Sequence, residues 1–398
     1  MADLPGATPL DSASREQAVL ASIRTLSIHI GPRLCGSDGE HAAAEWLAGE
    51  LREAGCEVET DEFPAYSTFM VVYAPLTVIG ALALVVAWWW PWLGAGLSAT
   101  AGALLVLENV PVQLLSCLVK LRRSRNVIGR RGLAGSAHDI IILAHIDSPV
   151  VSDVRNLQLV HGLFLGMICS CFAVAGVALG RALGAPSWAL LLGLPFGVHL
   201  LICSALMIHQ SLASPVVAGA GDNASGVAVL LQVARELPAL DRSTIWFVGN
   251  GGEEAGLLGA ARFLETQRLD RRRTWFINVD MVSAGALRTS REEGMLFRYR
   301  CDPDLCRIAA EEGAAEGLEV PSEVLRAMST DACVPLSRGY RATTISSTIG
   351  FWHQLSDTVE NVDPAVVAQA AVLVRRMVER LDAGTPGTEA RSCPGLVC

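Results

Sequence analysis

Four long apolar runs interrupt a chain that is otherwise polar and charged. The first, Met70–Trp90, carries no charged residue, and about 21 residues rising about 1.5 Å each would cross a hydrocarbon core of roughly 30 Å. The other three are Leu93–Val119, Leu157–Gly180 and Ser187–Ile208. Buried helices of a soluble protein are the alternative, but four runs of this length, paired as hairpins, favour a membrane. We predict four transmembrane helices in two hairpins, 69–120 and 157–210.

The first hairpin contains residues that belong near a membrane surface. Tryptophans cluster beside a proline in WWWPW (88–92), and such rings suit the interface between lipid and water. Glu108 and Pro111 break the second run. Because a bare carboxylate at the bilayer centre is costly, we expect Leu93–Leu107 to form a short or tilted span. Glu108 would then lie near the interface, and Pro111 would permit a bend there.

Outside the hairpins, the hydrophobic pattern is that of an α/β protein. The segments that predict strands are DIIIL (139–143), STIWFVGN, RTWFINVD and RATTISS, with helical patterns between them. This alternation predicts a doubly wound, mostly parallel sheet with helices on both faces. The α/β domain would be assembled from 1–68, 121–156 and 211–398, and we expect 385–398 to be a disordered tail.

Capping signals mark the ends of two helices. Ser37 and Glu40 form a capping-box pattern before a helix that Gly55 ends, and CEVETDEF then alternates like a strand. Asp363 and Pro364 begin the last helix as its cap and first residue.

Composition and charge narrow the class of protein. Hydrophobic residues make up 51% of the chain and charged residues only 18%, a balance typical of chains with membrane segments. The net charge of −9 argues against a nucleic-acid partner, because no positive field is available to neutralise phosphates. The 11 cysteines are odd in number and include no CxxC pair, so we expect reduced thiols and no thiolate zinc site. The first residues lack the pattern of a signal peptide.

Side chains of the metal-binding types follow the predicted strands. His145 and Asp147 come after DIIIL, and Glu253 and Glu254 come after STIWFV. The other candidates are Asp222, Asp280 and His353. Sites in open α/β sheets form at the carboxyl ends of strands, so these side chains can converge. Imidazole and carboxylate are ligand types that suit zinc. A carboxylate can bridge two metal ions, and two such ions can activate a water molecule. Adjacent glutamates could supply one metal ligand and one general base.

Each of these signals is weak by itself. A lone histidine is more often a buried, hydrogen-bonded residue, and an adjacent glutamate pair is usually solvated surface. Asp222 could merely cap the following helix, and GNGG (249–252) lacks the GK[ST] that should follow in a phosphate loop. The metal hypothesis therefore depends on the order of the motifs and on the strands that precede them.

Taken together, the motifs resemble those of one family, the two-zinc metallopeptidases that include bacterial leucyl aminopeptidase and glutamate carboxypeptidase. The resemblance is carried by IGPRLCGSDGEHAAAEWLAGELREAGCEVE, RNVIGRR, AHIDS, GAGDNASG, GGEEAGLLGAARF, NVDM and the final histidine with SDT (356–358). The chain also departs from the family pattern. STDA (329–332) replaces the Ser-Asp-His of many members, and neither hairpin belongs to the usual soluble enzyme.

The resemblance implies a role for each candidate residue. By this resemblance, His145 and Asp280 would bind one zinc ion, and Glu254 and His353 would bind the other. Asp222 would bridge both ions. Glu253 would be the general base and later the proton donor. Asp147 would orient His145, as a carboxylate often does for a metal-bound imidazole.

The activity implied by the resemblance is hydrolysis of peptide bonds by a membrane-anchored exopeptidase of the aminopeptidase type. Carboxypeptidase and dipeptidase activities stay open. Two alternatives come from other classes: a glutaminyl cyclase, which is a transferase of similar fold, and a catalytically silent membrane scaffold. The full set of ligands and the base argue against the scaffold, and the intact DNASG and GGEEAGLLGA favour a peptidase.

The basic residues beside the spans predict an orientation. Four of them follow the second span in KLRRSR (120–125), and Arg155 precedes the third, whereas the opposite turns offer only Arg181. The positive-inside rule then places the α/β domain in the cytoplasm. The second hairpin leaves the chain just after Asp147, so we expect the site to open near the bilayer. That position suggests apolar or membrane-derived peptides, unless the hairpins serve only as anchors.

Overall fold

The computed structural model describes residues 10–109, 119, 121–132, 136–348 and 350–384. Within these ranges the chain forms an α/β domain, built on one sheet, and a bundle of four apolar helices. Pro111, Cys117, Lys120 and the predicted tail 385–398 lie outside the described residues, as does the end of the second predicted span.

The sheet has nine strands in the order β1-β2-β4-β3-β5-β9-β6-β7, and β8 pairs with β6. The strands are β1 (Glu57–Ala65), β2 (Arg122–Arg131), β3 (His138–His145), β4 (Ser243–Asn250), β5 (Thr274–Val279), β6 (Arg288–Glu293), β7 (Tyr299–Arg300), β8 (Ser322–Val324) and β9 (Arg341–Ser346). Of the five segments predicted as strands, CEVETDEF corresponds to β1, and the other four correspond to β3, β4, β5 and β9.

These four strands form the parallel centre of the sheet. On either side most pairs are antiparallel, namely β1 and β2, β2 and β4, β9 and β6, and β6 and β7, whereas β6 and β8 are parallel. The prediction of a mostly parallel sheet is therefore correct for the centre and wrong for most of the flanking pairs. The first hairpin explains one flank, because it returns the chain to the edge it left and so makes β1 and β2 antiparallel neighbours.

Helices cover both faces of the sheet. They are α1 (Ser12–Arg24), α2 (Asp38–Glu53), α7 (Ser225–Glu236), α8 (Leu258–Thr266), α9 (Pro303–Ala315), α10 (Cys333–Ser337) and α11 (Pro364–Asp382). Ile140 and Ile142 of β3 face one core with α1, α2, α7, α9 and α11, whereas Ile141 and Leu143 face the core beside α8 and α10. A strand buried on both faces needs aliphatic residues at every position, which is why DIIIL does not alternate.

The apolar runs form α3 (Met70–Val86), α4 (Pro91–Asn109), α5 (Leu157–Ala182) and α6 (Leu194–Ala213), and a 3₁₀ turn, Ser187–Gly193, leads into α6. Three segments are long and apolar enough to cross a membrane: Pro91–Asn109, Leu157–Ala182 and Ser187–Ala213. The first helix is shorter than predicted, with 17 residues. It ends before Trp88 because the chain must turn to let Pro91 begin the next helix, a position that proline tolerates.

Polar contacts join the four helices inside the bundle. The hydroxyl oxygens of Thr77 and Ser204 lie 2.7 Å apart, and Ser98 donates to the carbonyl oxygen of Cys171 at 2.7 Å. The outer surface of the bundle is apolar instead, with many exposed aliphatic and aromatic side chains, among them Leu82, Val85, Phe172, Leu192 and Ile202. The bundle thus pairs its polar groups internally and turns its hydrocarbon outward.

Both hairpins leave the α/β domain at the carboxyl edge of the parallel strands. Ala65, which precedes α3, pairs with Arg122 at the beginning of β2, and α5 follows β3. The two hairpin turns lie at the opposite end of the bundle, where Leu84 contacts Gly193. Asn109 ties the near end to the domain, because its side-chain oxygen accepts the amide of Leu296 at 3.1 Å. The bundle therefore stands over the edge of the sheet where a site is expected.

We predict that Gly94→Ala destabilises the protein, whereas Gly96→Ala in the same helix does not. A Cβ at Gly94 would lie 2.6 Å from the carbonyl oxygen of Ala83, and such overpacking costs about 1–3 kcal/mol. At Gly96 nothing lies within 4 Å, so alanine contributes only its higher helix propensity. Thermal unfolding of both variants in one detergent checks this. Equal midpoints would show that α3 and α4 do not pack as described.

Candidate metal centre

The structure brings all seven predicted site residues to one edge of the sheet. His145 is the last residue of β3, and Asp280 follows β5 directly. The remaining residues lie in loops at the same edge: Asp147, Asp222, Glu253, Glu254 and His353. They converge because parallel strands present their carboxyl ends on one side.

The carboxylate of Asp222 lies between the two histidines. Its Oδ1 is 3.2 Å from Nε2 of His145, and its Oδ2 is 3.7 Å from Nε2 of His353. Asp280 Oδ1 lies 3.5 Å from the first imidazole, and Glu254 Oε2 lies 3.3 Å from the second. Among the described residues, three groups have ligand atoms within 4.8 Å of one another: His145–Asp222–Asp280, Asp222–Glu254–His353 and His145–Glu253–Glu254. Asp222 is common to the first two groups, and the third includes Glu253.

The chemistry of this cluster fits bound cations. Burial raises the pKa of Glu254 well above its usual range and also raises the pKa of Asp280, because these carboxylates lose hydration and lie near other carboxylates. Asp280 Oδ1 is buried without a hydrogen-bond donor. A bound metal ion would offset the negative charge of the carboxylates and give Asp280 Oδ1 a partner. Nitrogen from imidazole with oxygen from carboxylate is a donor set that suits zinc.

Asp147 fixes the loop that carries the two glutamates. Its carboxylate accepts the backbone amides of Glu253 and Glu254, each at 3.1 Å. The sequence predicted Asp147 only as a partner of His145, whose Nδ1 lies 3.5 Å from that carboxylate and 3.2 Å from the Asp147 carbonyl oxygen. One buried side chain therefore positions residues that follow two different strands. Burial holds the pKa of Glu253 well above its usual range, which suits a group that must both accept and release a proton.

His353 occupies an uncommon backbone conformation. Its φ is 51°, in the left-handed region that non-glycine residues rarely adopt. The neighbouring ring of Trp352 stacks on the imidazole, with centroids 4.0 Å apart. Burial lowers the pKa of His353 to about 4, so the ring stays neutral, as a metal ligand must.

Two residues hold the Asp222 loop, and the sequence analysis assigned neither a role. Asp357 accepts the amides of Gly221 at 2.6 Å and of Asp222 at 3.0 Å. Arg33 is fully buried and donates to several carbonyl oxygens, including those of Ile146 and Gly219. Both belong to segments that carry the family resemblance, SDT and IGPRLCGS. Their contacts are with backbone groups, which residue type alone does not reveal.

Glu40 also supports the loop that carries Glu253 and Glu254, here called the glutamate loop. Its carboxylate accepts the amide of Gly252 at 2.9 Å and the hydroxyl of Ser124 at 2.8 Å. The capping box predicted from sequence is formed only in part, because Ser37 accepts the amide of Glu40 but the Glu40 side chain bonds to the amide of Gly36. Burial raises the pKa of Glu40 to about 8.

The STDA segment keeps a carboxylate and has alanine where many members of the family have histidine. Asp331 is buried and accepts the side-chain amide of Asn250 at 2.8 Å. Ala332, which follows it, is buried in the core beside α8. The position of the family histidine thus serves packing in this chain.

A cavity of about 280 Å³ begins at the metal-binding residues and continues into the helix bundle. His145 and His353 line one end, and Phe164 of α5 and Met207 of α6 line the other. Glu108 of α4 also lines it; the position of this carboxylate near a membrane interface stays a prediction. The candidate site opens toward the bundle.

The chain resembles known proteins in family motifs and in fold. Residues 203–378 match Peptidase family M28, and a search of curated proteins finds no match. BSAP, a zinc aminopeptidase from Bacillus subtilis, has a similar fold, with a TM-score of 0.57 at 15% identity over 95% of this chain and 97% of that one.

Two further solved structures are similar. An aminopeptidase from Aneurinibacillus sp. strain AM-1 has a TM-score of 0.55 at 16% identity, over 96% of this chain and 95% of that chain. A glutaminyl cyclase from Porphyromonas gingivalis has a TM-score of 0.54 at 16% identity, over 94% of this chain and 100% of that chain. At these identities the likeness concerns the fold, which does not distinguish the two reactions.

We predict that Asp357→Ala weakens metal binding by about 10–100-fold, the usual effect of losing a group that orients a ligand. The variant leaves two buried amides, those of Gly221 and Asp222, without an acceptor. Asp363→Ala is the control, because Asp363 also accepts a backbone amide, that of Ala365, but caps α11 at the surface. Zinc retained after dialysis against a chelator checks this. Equal retention in both variants would contradict the positioning role of Asp357.

Proposed function

Because the chain contains a peptidase family M28 domain, we propose that it is a zinc-dependent exopeptidase of the aminopeptidase type, held in a membrane by its two hairpins. The observation that carries the proposal is the position of Asp222, whose two carboxylate oxygens each lie near a different histidine. A carboxylate so placed suits the bridging ligand of two metal ions. His145 and Asp280 would complete one metal site, and Glu254 and His353 the other.

The proposed reaction is hydrolysis of an amide bond at the end of a peptide. Two zinc ions bound by these residues would polarise the scissile carbonyl and lower the pKa of the attacking water. Glu253 accepts a proton from the water as its oxygen bonds to the carbonyl carbon. The same carboxyl returns the proton to the nitrogen as the carbon–nitrogen bond breaks, so an amine and a carboxylic acid leave. Asp147 keeps the base and the neighbouring ligand at a fixed separation through their backbone amides.

Glutaminyl cyclisation is the second candidate, since glutaminyl cyclases share the fold. A peptide that begins with glutamine separates the two reactions. An exopeptidase releases the first residue, whereas a cyclase releases ammonia and leaves every peptide bond intact. Digestion of a mixed peptide pool, with product ends identified by mass spectrometry, also distinguishes aminopeptidase from carboxypeptidase and dipeptidase activity. Protein that binds no zinc and cleaves nothing would indicate the silent scaffold.

Membrane attachment is supported by the surface of the bundle. Three of its segments have the length and hydropathy of membrane spans, and the outward side chains are apolar around the bundle. In water such a surface would promote association, whereas in lipid it is solvated. Exposed Trp89, Trp90 and Trp188 lie at the two hairpin turns, where an aromatic belt would meet the far interface. A bilayer is therefore the partner we propose for this surface.

We predict that Glu253→Gln keeps the metal but lowers kcat by about 10²–10⁴-fold, the typical cost of losing a general base. Glutamine preserves the size of the side chain and cannot accept the proton. Glu265→Gln makes the same change at the surface of α8, where the carboxylate pairs with Arg338 at 3.8 Å. This control variant should leave kcat unchanged. Zinc content and turnover are measured together. Near-normal turnover by zinc-loaded Glu253→Gln would exclude this residue as the base.

We predict that the α/β domain faces the cytoplasm. Each hairpin crosses the bilayer twice, so all segments of this domain share one side, and most of the basic residues near the spans lie on that side. Arg123 and Arg125 pair with Glu62 on β1, but the positive-inside rule counts basic residues and not net charge. Protease protection of a C-terminal tag in sealed vesicles of known orientation checks this. A tag digested only from the outer side of the cell would reverse the assignment.

A further inference from the structure

The cavity beside the metal centre extends deep between the helices of the bundle. Met167 of α5 and Cys203 of α6 line it. Each lies ten residues from the end of its helix that adjoins the α/β domain, Leu157 or Ala213. At a helical rise of about 1.5 Å per residue, the cavity reaches about 15 Å along the bundle. This depth exceeds the length of any ordinary apolar side chain.

The lining of the cavity changes with depth. Near the metal centre it includes polar groups such as Thr68, Ser152 and Gln210. Farther along α5 and α6, the described lining residues are Val160, Leu163, Phe164, Met167, Cys203, Leu206 and Met207. The backbone groups of these two helices are occupied by their own hydrogen bonds. The side chains that α5 and α6 contribute to this deep part therefore offer almost nothing to which a peptide N–H or carbonyl could bond, and burying such groups unpaired is costly. The polar side chains of Tyr73, Glu108 and Asn109, from α3 and α4, line the same cavity closer to the α/β domain.

A hydrocarbon chain has no such requirement. Its burial is favourable at every methylene group, and the volume of about 280 Å³ suits one apolar group better than a folded peptide segment, since pockets for whole ligands span about 300–1,000 Å³. The mouth, by contrast, is polar and adjoins the metal-binding residues. If the amide lies at the mouth and the hydrocarbon chain lies in the bundle, polar groups of the substrate meet polar groups of the protein and apolar groups meet apolar groups.

We propose that the substrate is a lipid-like amide, in which a long hydrocarbon chain next to the scissile bond occupies the bundle while the amide lies at the metal centre. This inference rests on the proposed function and narrows its substrate class. It also assigns the hairpins a second role, because α5 and α6 would form the wall of the chain-binding site as well as the anchor. The chain would enter from the bilayer, the phase in which such amides dissolve.

Substrate series of increasing chain length test the proposal. One series consists of anilides of alanine, norleucine, α-aminooctanoic acid and α-aminododecanoic acid, and a parallel series consists of alanine acylated with acids of the same lengths. We expect kcat/KM to rise with chain length in at least one series, by about fourfold per methylene group until the cavity is filled. The series that responds identifies whether the chain belongs to the terminal residue or to its acyl group. A flat dependence in both, or a preference for phenylalanine over every straight chain, would overturn the inference.

A pair of variants on adjacent positions supplies the matched control. Met207 lines the cavity and is buried, whereas its neighbour Ile208 is 43% exposed on the outer surface. Met207→Trp should shorten the available space and lower the ratio of kcat/KM for the longest substrate to that for alanine by at least about tenfold, the effect of displacing roughly two methylene groups. Ile208→Trp should leave the ratio unchanged. Equal ratios in the two variants would place the chain elsewhere.

Two readouts keep a failed experiment interpretable. Zinc content and thermal unfolding show whether Met207→Trp is folded, and Met167→Phe makes the same test from α5 if it is not. If the wild-type protein binds no zinc and cleaves no amide, the proposed function fails. If it cleaves alanine substrates but ignores chain length, the function stands and the inference is wrong. A lipid that copurifies and stays bound during turnover would also overturn it, since the cavity would then be filled permanently.

Discussion

A surplus of negative charge, buried at one edge of the sheet, is the constraint around which this molecule is arranged. Asp147, Asp222, Glu253, Glu254 and Asp280 meet there with two imidazoles. Arg33 is the nearby guanidinium, and its charge interacts with Asp147, Asp222 and Asp357. Carboxylates removed from water are costly unless they are paired, and a single buried arginine cannot balance this number. The cluster suits a site for cations.

Backbone hydrogen bonds give this cluster its shape. Asp147 accepts two amides of the glutamate loop, Asp357 accepts two amides of the Asp222 loop, and Glu40 accepts the amide of Gly252. The loop of Glu253 and Glu254 follows β4, so its first residue is already fixed, whereas the Asp222 loop follows α6 and is held by Asp357 and Arg33. Preorganised groups of this kind need not reorganise when charge develops, which is how an active site gains most from electrostatics.

The bundle changes what such a site can reach. Chain segments that would be loops above the sheet in a soluble enzyme lead here into four helices, and the cavity begins among the metal-binding residues and ends between α5 and α6. If the proposals above hold, access, anchoring and specificity involve the same helices. A change on the inner face of α6 and a change on its outer face should consequently have different effects, although the residues are neighbours in the chain.

Local pattern was sufficient for much of this description. Aliphatic runs such as DIIIL and STIWFV can be stable only when buried, so they predict the central strands, and a metal-binding residue after each strand predicts where the site forms. The seven site residues could be named because each belongs to a short motif. The flanks of the sheet could not be predicted, since antiparallel pairing of β1 with β2 depends on how the hairpin returns the chain. The end of α3 was also missed, because hydropathy does not distinguish the helix from the turn before Pro91.

The contacts that only the tertiary structure decided are those between groups far apart in sequence. Arg33 bonds to the carbonyl oxygen of Gly219, Asp357 to the amide of Gly221, and Glu40 to the amide of Gly252. Backbone amides and carbonyls are nearly the same in every residue, so residue type does not predict which of them a buried side chain will bond to. The cavity was also decided only by the tertiary structure, because its depth comes from the spacing of packed helices. Sequence determined which groups are available for the proposed chemistry, and packing determined what holds them in place and which cavity they adjoin.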